Sequence, residues 1–322
     1  MIFIGEYAIL LAYHGILSTK GEVMRDIHTH ILPGIDDGSR DLYDSMEMVA
    51  MAAESGTTVM IATPHCNIPG VYDNYFGKEY IELFRKTVRE LERNHIPVKL
   101  LPGMEVYATF KLPRLLAEGK IMTLNKTRYL LIEFDFREDP DFADRILDRM
   151  REARAIPVIA HAERYEFVQE DPEIVYRWQE KGYAVQINKG SFMGRFGRAA
   201  QRTAFELLDH NLVTAVASDA HSPYQRTPWM QDVYQSLLEE YPRDYLEALF
   251  TENPGRICRG QEVIRFRRIS FQIHTRFKEQ EEGYEKIKNC GNYYFYRGGG
   301  AFCRLSGKDQ DRGGYRASGD HQ

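Results

Sequence analysis

Short apolar or β-branched runs recur along the chain, and stretches with helical spacing lie between them. After a first run that opens at Met24 come TTVMIAT (57–63), PVKLLPG (97–103), RYLLIEF (128–134), IPVIA (156–160), YAVQIN (183–188) and VTAVAS (213–218), seven strand candidates in all. In residues 41–56, Leu42, Met46, Val49 and Ala53 keep helical spacing and Gly56 supplies the stop. In residues 78–96, Ile81, Phe84, Val88 and Leu91 do the same, with charges on the opposite face. Similar stretches cover 141–155, 172–181, 198–210 and about 229–250. Strands alternating with helices predict parallel βαβ units, and nearly continuous apolar strands suit a sheet covered on both faces. No tract reads as an interdomain linker, so one barrel-like α/β domain is expected over residues 24–262.

The chain of 322 residues is long enough to bury a large core, and its 43% hydrophobic and 28% charged content is that of a soluble globular protein. A formal net charge of −5 gives no reason to expect a nucleic-acid partner. The charge is uneven: residues 262–322 hold 12 Lys and Arg against 8 Asp and Glu, the rest 30 against 39. That basic, Gly-rich tail (263–322) is expected to be poorly ordered. The opening apolar segment, residues 1–17, is too short and too interrupted by Glu6 and His14 for a membrane span. It also lacks the basic start and small-residue cleavage site of a secretory signal. With Met24 just before RDIHTH, the expectation is a start at Met24, residues 1–23 being an extension that is not physiological. Four cysteines without zinc-like spacing read as free thiols, which predicts a cytoplasmic protein.

Chemistry-bearing residues stand at the C-terminal ends of the strand candidates. His28 and His30 end the first, His65 the second, Glu105 the third, Glu133 the fourth, His161 the fifth, and Asp219 and His221 the seventh; Asp37 lies in the first loop. Strand side chains alternate, so His28 and His30 share a face. In a parallel barrel these ends share one rim, where such folds carry their chemistry. Singly, each residue has an ordinary reading as surface, a hydrogen-bonded core histidine or a helix cap. Together, five histidines and four carboxylates exceed the needs of one ion and predict a cluster of two or three. Mixed imidazole and carboxylate donors suit Mn, Fe or Zn, and the lack of thiolates argues against a structural zinc site. Such a cluster makes a hydroxide nucleophile at neutral pH, so hydrolysis is the reaction class expected. Arg164 and Arg226 stand a few residues beyond candidate ligands, where a guanidinium can bind phosphate in bidentate fashion.

In order, DIHTHILPGIDDGS, ATPH, LPGMEVY, LLIEF, IAHAERY, QINKGSF and ASDAHS resemble the motifs of the polymerase-and-histidinol-phosphatase (PHP) superfamily of metal-dependent phosphoesterases. They are most similar to those of the bacterial tyrosine phosphatases of capsule and exopolysaccharide loci. The resemblance runs from about Met24 to about Cys258. It implies a distorted (β/α)7 barrel, TIM-like, and a three-ion site. His28, His30, Glu105 and Asp219 would hold the first ion; Glu105 as a bridge, with Glu133 and His161, the second; Asp37, His65 and His221 the third. Arg164 and Arg226 would orient the phosphate. Mn2+ is the ion expected, with Fe, Co or Zn as alternatives. The implied reaction is in-line attack of an activated hydroxide on phosphorus, with a tyrosinate of reference pKa about 10 leaving. The implied partner is a phosphotyrosine protein, the tyrosine-rich tail of a membrane-associated bacterial tyrosine kinase.

A cysteine phosphatase is disfavoured, because no cysteine begins a Cys-x5-Arg loop. Two alternatives stay open: a histidinol-phosphate phosphatase with the same metals, and an inactive barrel kept as a kinase-binding module. A nuclease or proofreading role is disfavoured by the lone, acidic barrel.

Overall fold

Each of the seven apolar runs forms a strand in the computed structural model, which describes residues 23–271. Expectations for residues 1–22 and 272–322 lie outside the described residues. The strands are β1 (Met24–Thr29), β2 (Thr57–Ala62), β3 (His65–Cys66), β4 (Lys99–Pro102), β5 (Glu105–Tyr107), β6 (Tyr129–Glu133), β7 (Ile156–Ile159), β8 (Ala184–Asn188) and β9 (Ala215–Ala217). They pair in the orders β1-β2-β4 and β3-β5-β6-β7-β8-β9, parallel throughout.

The short β3 and β5 were not separate in the sequence; they follow local breaks in longer runs. Pro64, which has no N–H to give, separates β3 from β2. The Tyr80 hydroxyl accepts from Gly103 N at 3.1 Å and donates to Gly103 O at 3.0 Å, taking both backbone groups out of the ladder between β4 and β5. Glu105 N still donates to Pro64 O at 3.1 Å, so pairing resumes beyond the break. At the other margin β1 meets the residues after β9: Asp219 N donates to His28 O at 3.0 Å and His30 N to Ala220 O at 2.9 Å. The result is a mixed α/β fold with a curled parallel sheet.

Helices cover the outside, among them Leu42–Glu54, Lys78–Arg93, Pro140–Glu152, Glu173–Glu180 and Gly197–Asp209. Two start at an aspartate that the sequence places well: Asp41 accepts from Tyr43 N and Asp44 N, and Asp139 accepts from Asp141 N ahead of Pro140. The stretch 229–250 is not one helix. It divides into Gln231–Leu238 and Arg243–Glu247, because Pro242 cannot supply the N–H that continuity requires. None of the described helices is long and apolar enough to cross a membrane.

Alternation along the strands separates two apolar clusters. Leu130 and Ile132 pack outward with helix residues such as Ile146 and Leu147. Tyr129 and Leu131 join Ile27, Ile61, Val158, Ala184, Ala215 and Ile257 in an inner plug. Toward the C-terminal ends of the strands, the same inward positions turn polar: Glu133 follows Leu131, and Gln186 and Asn188 follow Ala184.

The boundary expected at residue 262 falls short of the packed chain. Residues 263–271 lie along the barrel: Ile264 N donates to Asn253 Oδ1 at 2.6 Å, Ile269 N to His210 O at 3.0 Å, and Phe271 stacks on His210. Arg265 donates to Gln179 Oε1 at 2.7 Å and to Gly182 O at 2.8 Å. Each of these polar groups on the barrel would otherwise lack that partner, so a basic segment without periodicity is still held by hydrogen bonds.

Candidate metal centre

All nine candidate ligands converge at the C-terminal mouth of the sheet. His28 on β1 and His30 directly after it, two residues apart, bring their Nε2 atoms within 3.2 Å of each other. Glu105 at the start of β5 lies 3.1 Å from His28 Nε2 through Oε1 and 3.2 Å from His30 Nε2 through Oε2. Asp219 Oδ1 is 3.4 Å from both rings. His161 Nε2 is 2.9 Å from Glu105 Oε1 but 4.0 Å from Glu133 Oε2, while Glu133 Oε1 sits 2.8 Å from His65 Nδ1. On the outer side, Asp37 Oδ1 is 3.4 Å from His65 Nε2 and 3.6 Å from His221 Nε2.

Within these contacts, four sets of donors come close enough to share an ion: His28, His30 and Asp219; His28, Glu105 and His161; His65, Glu105 and Glu133; and His30, Asp37, His65 and His221. Glu105 is the common member of two of them. Asp37 is exposed, whereas the innermost residues have almost no contact with solvent.

The tautomers decide what this cluster is for. His28 Nδ1 lies 3.0 Å from Gln186 Oε1, an acceptor, and therefore carries the proton. His30 Nδ1 lies 2.8 Å from Asp36 Oδ2 and carries its proton for the same reason. In the neutral rings both Nε2 atoms then present lone pairs to each other and to the oxygens of Glu105 and Asp219. Glu105 Oε2 and His161 Nδ1 are also buried without a hydrogen-bond partner. Converging lone pairs in a buried site repel unless a cation lies among them. The donor set therefore fits divalent ions.

The charges respond to this crowding. Burial would raise the Glu105 carboxyl, but His28, His65 and His161 hold it well below the usual carboxylate range. Burial acts on Asp219 in the same sense, and His28, Arg226 and His30 again outweigh it. Burial disfavours a charged His65, yet Glu105 and Glu133 push its pKa up to about 10. His161 goes the other way, to about 4, because burial dominates. Glu133 is raised to about 7 by burial and by the Glu105 charge.

Several positioning residues were not assigned a role from the sequence. Asp36, next to Asp37 in the first loop, also accepts from His65 N at 2.9 Å and Gly38 N at 3.0 Å. Gln186 Oε1 accepts from His161 N at 2.9 Å as well as from His28. Its amide donates to Asn188 Oδ1 at 2.8 Å, and Asn188 donates to Asp219 Oδ2 at 2.6 Å. The alternation of AVQIN would have placed both side chains inward. The loop after β1 closes over His30: Gly34 N donates to Ser39 O at 2.7 Å and Ser39 N to His30 O at 2.9 Å. Three non-glycine residues here adopt positive φ, His161 (34°), Asp219 (50°) and Arg226 (48°). Such strain concentrates at sites where the surroundings over-determine the backbone.

Arg164 and Arg226 also reach the mouth. Arg226 Nη2 donates to Asp219 Oδ2, and Arg164 Nη1 lies 3.7 Å from the same oxygen.

Residues 24–259 match a family described as capsular polysaccharide synthesis, CpsB/CapC. The chain belongs to the CpsB/CapC family. Its curated relatives include tyrosine-protein phosphatase YwqE of Bacillus subtilis, 38% identical over 242 residues, 75% of this chain and 94% of that protein. Tyrosine-protein phosphatase CpsB of Streptococcus pneumoniae is 30% identical over 244 residues, 74% of this chain and 99% of its own. A solved structure from work on those two proteins, described as metal-dependent tyrosine phosphatases, superposes with a TM-score of 0.71 at 36% identity. That likeness covers 77% of this chain and 100% of the other, so the CpsB/CapC fold accounts for the curled sheet and its mouth.

Proposed function

We propose that this chain is a metal-dependent protein-tyrosine phosphatase of a capsular polysaccharide system. The carrying observation is the meeting of the His28 and His30 Nε2 atoms, 3.2 Å apart, with the Glu105 and Asp219 carboxylates under two arginines. The names of its CpsB/CapC relatives supply the phosphotyrosine substrate.

On this reading His28, His30, Glu105 and Asp219 hold one ion, Glu105, Glu133 and His161 a second, and Asp37, His65 and His221 a third. We assign Mn2+, two or three per chain, to a distorted (β/α)7 barrel acting in the cytoplasm on the tyrosine-rich tail of a membrane-associated kinase. Bound there, the ions would supply Lewis acidity and a hydroxide nucleophile at neutral pH. Asp36 and Gln186 fix the His30 and His28 tautomers with Nε2 free for coordination. The Glu105 and Asp219 carboxylates stay ionised, and the open, exposed side at Asp37 admits substrate. Arg164 and Arg226 bind and orient the phosphoryl oxygens, leaving the nucleophile in line with the departing tyrosinate.

The test is phosphate release from a phosphotyrosine peptide, with Mn2+ or EDTA, by the parent protein and by His161→Ala. Release that needs metal and disappears in the variant is expected. Protein shown to carry metal yet inert to phosphotyrosine would overturn the reading, and turnover of histidinol phosphate instead would replace it.

A further inference from the structure

Two phenylalanines bracket the guanidinium of Arg164. Its central carbon lies 4.3 Å from the Phe136 ring centroid and 4.1 Å from that of Phe196. Arg226 approaches the same Phe196 ring at 5.6 Å. One aromatic side chain thus touches both arginines at the mouth.

Each ring is fixed by its own loop. Phe136 follows β6, the strand that delivers Glu133, and its carbonyl accepts from Glu166 N at 2.8 Å. Phe196 lies in the loop after β8, between Gly194 and Gly197, whose φ values of 73° and 89° are open to glycine and rare for other residues. A Cβ on Gly190 would stand 2.9 Å from Phe196 Cε2, so the ring rests on a position where only glycine leaves room. Phe196 is half-buried, whereas Phe136 is 41% exposed.

An aromatic face holds a guanidinium parallel to itself and leaves the N–H groups directed outward along the edge. Both arginines converge on one carboxylate oxygen, Asp219 Oδ2, which leaves donors of both forks for another anion. Arg226 Nε is buried without a partner. The exposed Phe136 ring stands 5.9 Å from the His161 ring, one side chain away from the metal centre. In an aryl phosphate the ring begins one bridging oxygen from phosphorus, within reach of Phe136. An alkyl phosphate presents no flat face there.

We propose that Phe136 and Phe196 form an aromatic clamp that sets the plane of Arg164 for phosphate and selects aryl over alkyl phosphomonoesters. Phe196 is the positioning residue, acting through both arginines; Phe136 adds the surface that the substrate ring meets. The clamp rests on the phosphatase reading above, and the experiment separates the two.

The metal-loaded protein, Phe196→Leu, Phe196→Tyr and Phe136→Leu are compared on one peptide carrying phosphotyrosine or phosphoserine. Metal content and melting temperature confirm that each variant is folded. Phe196→Leu is expected to lower kcat/KM about tenfold on both peptides, with Phe196→Tyr restoring most of it. Phe136→Leu is expected to reduce the phosphotyrosine-to-phosphoserine ratio of kcat/KM about tenfold, mainly through KM. Independently of turnover, inorganic phosphate should bind Phe196→Leu about tenfold more weakly by calorimetry. The Arg164 side-chain protons, shifted upfield by the rings in the parent's NMR spectrum, should lose that shift in the double Leu variant. An unchanged peptide ratio in folded Phe136→Leu overturns the selection, and unchanged phosphate binding in Phe196→Leu overturns the positioning. A parent that binds phosphate but hydrolyses neither peptide sinks the phosphatase reading and, with it, the aryl selection.

Discussion

Replacing Gly38 with alanine probes how the loop after β1 holds His30, a proposed metal ligand. An added Cβ would lie 2.1 Å from His30 O and 2.4 Å from His30 Cβ. Carbon atoms in contact rest about 3.5 Å apart, so the loop or the strand end must separate by roughly 1 Å. The loop cannot yield freely, because Ser39 N is bonded to His30 O and the Asp36 carboxylate is bonded to both His30 and His65 N. The displacement therefore falls on the His30 ring and on Asp36, the acceptor that fixes its tautomer. A misplacement of about 1 Å at reacting groups costs about 100-fold in rate, and overpacking of this kind about 1–3 kcal/mol in stability.

Gly38→Ala should therefore lower kcat/KM for a phosphotyrosine peptide about 100-fold, with metal content below that of the parent by elemental analysis. Gly77→Ala is the control, since its Cβ would have nothing nearer than Tyr75 O at 3.9 Å, and it should remain within about 1 kcal/mol of the parent. A Gly38→Ala protein with the parent's activity and metal content would refute the claim that this loop positions His30.

Three further outcomes follow from other contacts. Gln186→Leu removes the acceptor for the His28 Nδ1 proton and for His161 N, and should weaken metal binding about 10–100-fold in competition with a chelator. In metal-free protein, His65 with its pKa raised to about 10 contributes stability that is complete below 6.5 and is lost as pH rises through 10. Glu133, raised to about 7, acts in the same direction between its ordinary value of 4.5 and that point, while metal binding tightens as the histidines deprotonate. The melting temperature gained on adding metal should thus widen from pH 6 to pH 9, and a gain that shrinks would contradict the assignment. Arg265→Ala removes donors to Gln179 Oε1, Tyr183 O and Gly182 O, and should lower stability by about 1–3 kcal/mol in urea without changing metal affinity.

The strand positions were legible because apolar runs of five to seven residues, covered on both faces, leave a period that turns and helices interrupt. The candidate ligands were legible for a related reason: all but Asp37 stand at the end of such a run. What escaped was either short-range geometry or residues of unremarkable type. Nothing local in LPGME announces that Tyr80, far upstream, will take both polar groups of Gly103 and split the strand. Gln186 and Asn188 look like polar residues in an apolar run, and only alternation, applied to the inner face, turns them toward the site. Phe136 and Phe196 carry no periodic mark, since both sit in loops and acquire meaning from Arg164. The extended segment 263–271 looks like tail in the sequence because hydrogen bonding to Asn253 and His210 leaves no trace in composition.

The sheet margin where β1 meets the residues after β9 has a consequence for biosynthesis. His28 and His30 come from the C-terminal end of the first strand and Asp219 and His221 from just after the last, and their backbones are joined there by Asp219 N to His28 O. A nascent chain holds the first pair of imidazoles long before their partners leave the ribosome. Contacts so distant in sequence form late, because loop closure must precede any gain from them. On the proposed ligand assignment, a polypeptide interrupted anywhere before Asp219 has an incomplete set of donors, and stable metal uptake would mark the moment at which the two ends of the fold have met.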